Sequence, residues 1–212
     1  MKYSLTPSVG AILLLTACKA TYPELLVLDQ EMLDQRSALG SAPAEAVSSA
    51  TGIIEYEGVM RRFFSAPPNL DENGEEVPLV IENGGVVHPP AGSIWSIGEM
   101  SVSVGFGVNS SPEISGAADN FYEIDLSACG PCHDISNTTG TEIDGSVIIS
   151  EGYVSGSLTH TNGQLTQYDI QMQSPRFYGD ELGALYLRGN GQAQDSEGPG
   201  RFASVVGEAV TK

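Results

Sequence analysis

Five consecutive residues, Cys129-Gly-Pro-Cys132-His133, are the one stretch of this 212-residue chain whose types and spacing could carry covalent or redox chemistry. Three chemistries fit them. In an oxidising compartment Cys129 and Cys132 pair as a local disulfide, and so short a loop stiffens one turn by about 1–2 kcal/mol at most. A Cys-x-x-Cys-His run also supplies the two thioether sulfurs and the proximal imidazole of a c-type haem, with Met100, Met172 or His160 available to complete the iron. Such haem sites usually open a helix, whereas the Asp-Ile-Ser-Asn-Thr-Thr-Gly after His133 is loop chemistry. Finally, Cys-Gly-Pro-Cys is a thiol-disulfide exchange tetrad, in which a helix N-terminus lowers the pKa of the attacking thiol; that device belongs to alternating strands and helices, and this chain reads as strands. As metal ligands, Cys129, Cys132 and His133 fall one short of a closed tetrahedral set.

No other grouping has a reactive pattern. His88, His133 and His160 are far apart in sequence, and there is no Gly-x-Ser-x-Gly, phosphate loop or His-Glu-x-x-His. The acidic Asp71-Glu-Asn-Gly-Glu-Glu76 lacks the alternate-residue oxygens of a calcium loop and reads as a solvated turn. With 9 Lys+Arg against 27 Asp+Glu the net charge is -18. Such a field repels phosphate backbones and anionic lipid, so nucleic acid is not an expected partner. The expectation is a binding protein and not an enzyme, with no cofactor unless haem c is attached at Cys129, Cys132 and His133.

The elements that must position the cysteine pair begin with an export signal over residues 1–17. Lys2 is its positive n-region, residues 9–15 its short apolar core, and Leu15-Thr-Ala-Cys18 closes it. So short a run cannot cross about 30 Å of hydrocarbon. The Leu-Thr-Ala-Cys tetrad resembles the lipobox of bacterial lipoproteins, which implies cleavage before Cys18 and diacylglycerol on its sulfur. With a further amide-linked chain, that lipid holds a protein stably on a membrane. Lys19 stands where an inner-membrane retention signal would show Asp, which points to the outer membrane, on its periplasmic face or at the cell surface.

Thr21-Tyr-Pro-Glu24 predicts a capping box opening a helix to about Arg36, with Leu25, Leu28 and Met32 on one side, packing over an open end of the domain behind it. Residues 37–50, rich in Ala, Ser and Gly around Pro43, read as a tether or loop, so that 18–50 is a lipidated tether with one short helix. From 51 to 212 the chain reads as one β domain. The clearest strand is 164–173, where Thr166, Tyr168, Ile170 and Met172 alternate with Gln167, Asp169, Gln171 and Gln173. Similar segments at 53–64, 100–108, 114–126, 143–151, 153–160, 176–178 with 182–189, and 201–211 make eight in sequential order. Residues 66–91 interrupt them with Pro67-Pro68 and an Asn83-Gly84 turn, a hairpin excursion. Short sequential connections pair neighbours, and closure removes exposed edges, so the predicted fold is all-β: an eight-stranded antiparallel up-and-down β-barrel with a short N-terminal helix after the lipidated cysteine. The 8 Tyr, 6 Phe and 1 Trp form no paired girdle of the kind a membrane-spanning barrel carries.

The lipobox, the helix, Ala50-Thr-Gly-Ile-Ile-Glu-Tyr-Glu-Gly-Val59, and the glycine-punctuated Gly152-Tyr-Val-Ser-Gly-Ser-Leu158, Arg176-Phe-Tyr-Gly179 and Gly200-Arg-Phe-Ala203 resemble the small bacterial lipoproteins related to the β-barrel domains of transferrin-binding protein B. The resemblance covers most of 51–212. It implies an eight-stranded lipoprotein barrel with a binding role at the cell envelope, toward an unidentified protein or small-molecule ligand, the known relatives binding transferrin, haemoglobin or haem. On this reading residues 66–91 and the loop holding Cys129 and Cys132 meet the partner.

Overall fold

The computed structural model describes residues 19–64, 81–82, 85–86, 94–107, 111–125, 139–195 and 201–212. Two helices, α1 (Tyr22–Leu39) and α2 (Ala44–Ser49), precede β1 (Gly52–Phe64). Then come β2 (Ile81–Glu82), β3 (Gly85–Val86), β4 (Ile94–Phe106), β5 (Glu113–Asp125), β6 (Thr141–Ser150) and β7 (Tyr153–Thr159). The chain ends with β8 (Leu165–Gln171), β9 (Arg176–Tyr178), β10 (Ala184–Asp195) and β11 (Arg201–Thr211). β2 and β3 pair as a minimal hairpin of their own, where the Asn-Gly turn predicts one.

The rest is one antiparallel sheet in the order β11-β1-β4-β5-β6-β7-β8-β10-β9, with β10 also paired to β11. That last ladder, with Tyr56↔Thr211 to Phe64↔Ala203 between β1 and β11, closes an eight-stranded barrel and leaves β9 as an extra strand beside the start of β10. The predicted fold class is the observed one. Gly58 makes the seam possible: a Cβ there would lie 2.0 Å from the Glu208 carbonyl oxygen.

The alternation that defines each strand sorts its side chains between interior and wall. In β8, Thr166, Tyr168 and Ile170 are buried while Gln167, Asp169 and Gln171 are exposed. Tyr56, Met60, Val102, Val147, Leu158 and Leu187 fill the interior from five strands. Burial of each large apolar side chain contributes roughly 1.5–3 kcal/mol. Polar residues on the outer wall of β8 and an apolar interior invert the pattern of a barrel that spans lipid.

One bulge decides what the interior contains. Along β5, Ile114, Gly116 and Ala118 share the inward parity, but the register slips between Ala118 and Phe121, with Asn120 at φ 52. Asparagine takes this left-handed conformation more readily than other non-glycine residues. The extra residue reverses the parity of the rest of the strand. Phe121 and Glu123 turn inward; Tyr122 and Ile124 turn out against α1.

Two expectations need correction. α1 lies on the outer wall, not over an end: Tyr22 and Leu25 pack with Val59, Ile97 and Ile124. It also runs three residues past the predicted Arg36, to Leu39. Residues 37–50 are not a loose tether, since Pro43 precedes α2 and Ala42, Ala46, Val47 and Ala50 pack against the interior core. It is α2, not α1, that covers an end of the barrel. There the Phe106 and Phe177 rings lie 5.3 Å apart, and the Tyr56 hydroxyl donates to the Leu182 carbonyl at 2.8 Å. Burial pushes the Tyr56 pKa up to about 12.

Candidate binding rim

The end opposite α2 is a rim where β1, β5, β7 and β10 finish and β4, β6, β8 and β11 begin. Its pairs run Phe64↔Ile94, Ile94↔Asp125, Glu123↔Thr141, Thr159↔Leu165 and Ala193↔Arg201. The connections 65–93, which include the β2–β3 hairpin, and 126–140 therefore start and finish on adjacent strand ends of this rim.

Just inside it the core turns polar. Arg62 continues the inward row of Tyr56 and Met60 and is 1% exposed. Its Nε and Nη2 donate to Ser96 Oγ at 3.1 and 2.7 Å, and its guanidinium lies 4.5 Å from the Tyr168 ring centroid and 5.5 Å from that of Phe121. Its Nη1 has no hydrogen-bond partner among the described residues. Burial pulls the Arg62 pKa below its ordinary value, while Tyr168 and Glu123 act to raise it. Cation–π contact offsets part of the desolvation of a charge held this way.

Beside Arg62, Glu123 and His160 form a buried pair with Oε2 and Nδ1 2.5 Å apart. Glu123 Oε1 accepts from the Thr161 hydroxyl at 3.0 Å and the Thr161 N–H at 3.4 Å, and His160 Nε2 lies 2.7 Å from Thr166 Oγ1. Burial raises the Glu123 pKa, but the hydrogen bond and charge of His160 and the Thr161 donors outweigh it and hold the carboxyl below its ordinary 4.5. The carboxylate fixes the proton of Nδ1 in this arrangement, as in any acid–histidine pair. Phe64 stacks on the imidazole at 5.7 Å, and the Arg201 guanidinium sits 5.1 Å from the Phe64 ring.

Hydroxyl, imidazole and carboxylate in this order are the parts of an activated nucleophile. Here Thr166 is 0%, His160 3% and Glu123 4% exposed, so the group is closed off from solvent. The triad acts as a clamp joining β5, the β7–β8 turn and β8.

A second charged group lies on the wall beneath α1. Arg61 pairs with Asp29 (Nε–Oδ1 3.3 Å) and with Glu208, to which Arg36 adds a contact at 2.9 Å. Arg36 also stacks over Tyr186 at 4.9 Å. Burial pushes the pKa of Asp29 and of Glu208 up, against the pull of Arg61 and Arg36. A cavity of about 400 Å³ opens beside this group, lined by Leu33, Arg36, Trp95, Tyr186 and Glu208 among others.

Of the residues that the sequence singles out, Cys18, Cys129, Cys132 and His133 lie outside the described residues, as does His88. The ends of the connection carrying Cys129 and Cys132 are on the rim. Met100 is buried in the core, Met172 packs against it from the far end, and both ring nitrogens of His160 are occupied by Glu123 and Thr166. No sequence motif marks the cluster of Arg62 and Glu123. The signal for Arg62 and His160 is their parity with Tyr56 and Met60, and with Val154 and Leu158. Glu123 has no such signal, because the Asn120 bulge puts it inside.

No family model matches the chain, and neither the curated proteins nor the solved structures contain a significant match.

Proposed function

We propose that this chain is a cell-envelope lipoprotein, held on the outer membrane by lipid on Cys18, whose barrel is a non-enzymatic binding module related to the barrel domains of transferrin-binding protein B. The partner, a protein or small molecule, is engaged by connections 65–93 and 126–140, and Cys129–Cys132 is a disulfide that stiffens the second of them. One observation carries the reading: both connections leave adjacent strand ends above an interior that is packed and pinned by Arg62, Glu123 and His160. Variable loops on a rigid frame are the usual construction of a binding surface. The polar wall of β8 supports a barrel held by lipid and not by its own strands.

The test replaces 66–91 and, separately, 126–140 by short Gly/Ser turns in protein made in its native envelope. Covalent complexes are then compared after amine cross-linking. The reading expects each replacement to remove a defined complex while barrel unfolding stays cooperative. It is overturned if both variants keep every complex. It is also overturned if Cys132→Ser alone abolishes activity in protein that shows a Soret band and one haem of added mass, which would make the chain an electron carrier.

A further inference from the structure

Resting on acylation of Cys18, we propose that the loop-bearing rim faces the lipid surface, with the α2 end pointing away from it, so that the binding face works in the narrow space against the bilayer. The leash is too short for anything else. α1 is docked from its first residue. The Glu24 carboxylate accepts from the Thr21 N–H and hydroxyl at 2.7 Å each, the Ala20 carbonyl accepts from Asn120 Nδ2 at 2.7 Å, and Lys19 Nζ is 3.4 Å from Glu142 Oε1. Tyr22 lies on Gly140, where a Cβ would stand 2.4 Å from its ring, and 6.0 Å from the ring of Tyr122. Gly140 immediately precedes β6, so the docked N-terminus sits at rim level on the β5–β6 side.

From there α1 descends the wall. Its 18 residues, about 27 Å at 1.5 Å each, end with Leu39 beside Gly179 and Gly183, and Ser41 bridges Tyr178 at the other end of the barrel. Three residues, four Cα–Cα steps, separate Cys18 from Tyr22, so the acylated cysteine cannot lie more than about 14 Å from the rim-level wall. A charge of -18 gives the wall no attraction of its own for an anionic surface, which leaves the covalent leash to set the orientation. The 13 residues of β4, tilted as barrel strands are, put the far end roughly 30 Å higher.

The experiment uses full-length lipidated protein extracted from its envelope and reconstituted into phosphatidylethanolamine vesicles containing an acceptor-labelled lipid. A genetically encoded fluorophore replaces Asn162, in the rim turn after β7, or Ser111, in the far turn before β5. Energy transfer several-fold higher from position 162 than from 111 is expected. Inserting twenty Gly/Ser residues after Lys19 should erase the difference. Equal or inverted transfer in protein whose mass shows acylated Cys18 overturns the orientation and leaves the anchor standing. A mass without lipid on Cys18 overturns both.

Discussion

Replacing Glu123 by Gln tests whether the clamp at the rim is held by charge. In the native barrel the buried carboxylate accepts from His160 Nδ1 and from both donors of Thr161. The amide of Glu123→Gln can keep the Thr161 bonds and can donate to His160 once the imidazole shifts its proton to Nε2 and donates to Thr166 Oγ1, so neither His160 nor Thr161 is orphaned. What is lost is the charge-assisted part, about 1.5–3 kcal/mol. At this chain length that lowers Tm by roughly 3–12 °C. Glu123→Ala leaves His160 Nδ1 and the Thr161 donors without their acceptor beside a void and costs on the order of 3–5 kcal/mol.

The same charge gives the clamp a pH dependence that either substitution removes. Because the folded state holds Glu123 below its ordinary 4.5, the carboxylate contributes stability that is present above that value and is lost as pH falls through the folded one. The stability gap between native protein and Glu123→Gln is therefore full at pH 7 and closes in acid. Urea denaturation of both proteins at a series of pH values measures it. A gap below about 0.5 kcal/mol at pH 7, within the range of an ordinary surface substitution, refutes the clamp. A gap that persists undiminished below the folded pKa refutes its electrostatic origin.

Three further outcomes rest on other groups. Arg62→Met takes both donors from buried Ser96 Oγ and the cation from the Tyr168 ring and leaves Glu123 as a buried charge, so chemical denaturation should find a loss of about 3–5 kcal/mol; a neutral or stabilising result would show that Arg62 does not pin the rim. Arg61→Ala strips the shared cation from Asp29 and Glu208 and should weaken α1 docking by on the order of 3 kcal/mol, read as loss of hydrogen-exchange protection in 22–39 at pH 7. Both carboxyls have raised pKa values in the fold, so their contribution is best in acid and is lost as pH rises through those values, and the Arg61→Ala defect should shrink in acid; protection that is unchanged at pH 7 contradicts the docking account. Gly58→Ala should abolish cooperative folding or drop Tm sharply, because its Cβ would meet the β11 backbone at the seam, and native-like unfolding would contradict the closure.

The strands legible in the sequence are those whose two faces meet different media. β8 alternates cleanly because its wall face is solvated. The first half of β4 does the opposite: Ile97 is apolar on the wall because α1 covers it, while inward Ser96 holds Arg62 and inward Gly98 makes room for Phe121. With Ser96 and Gly98 inside and Trp95 and Ile97 outside, 95–98 lacks the usual apolar-inward alternation and the strand reads as starting at Met100. The second half of β10, Asn190-Gly-Gln-Ala-Gln-Asp195, has little apolar character and is a strand through its ladders to β8 and β11. The capping box at Thr21 is legible because it is local. Where α1 docks is not, since the groups receiving it come from β1, β4, β5 and β11.

The central claim is that binding takes place at the rim and not at the α2 end. A genetically encoded photo-crosslinker replacing Leu165, which is 38% exposed at the start of β8 on the rim, or Gln173, exposed beyond its far end, tests it in living cells. The account predicts a discrete adduct from position 165 that disappears when 66–91 or 126–140 is shortened, with none from 173. An adduct from 173 alone, or one from 165 that survives both replacements, would contradict it.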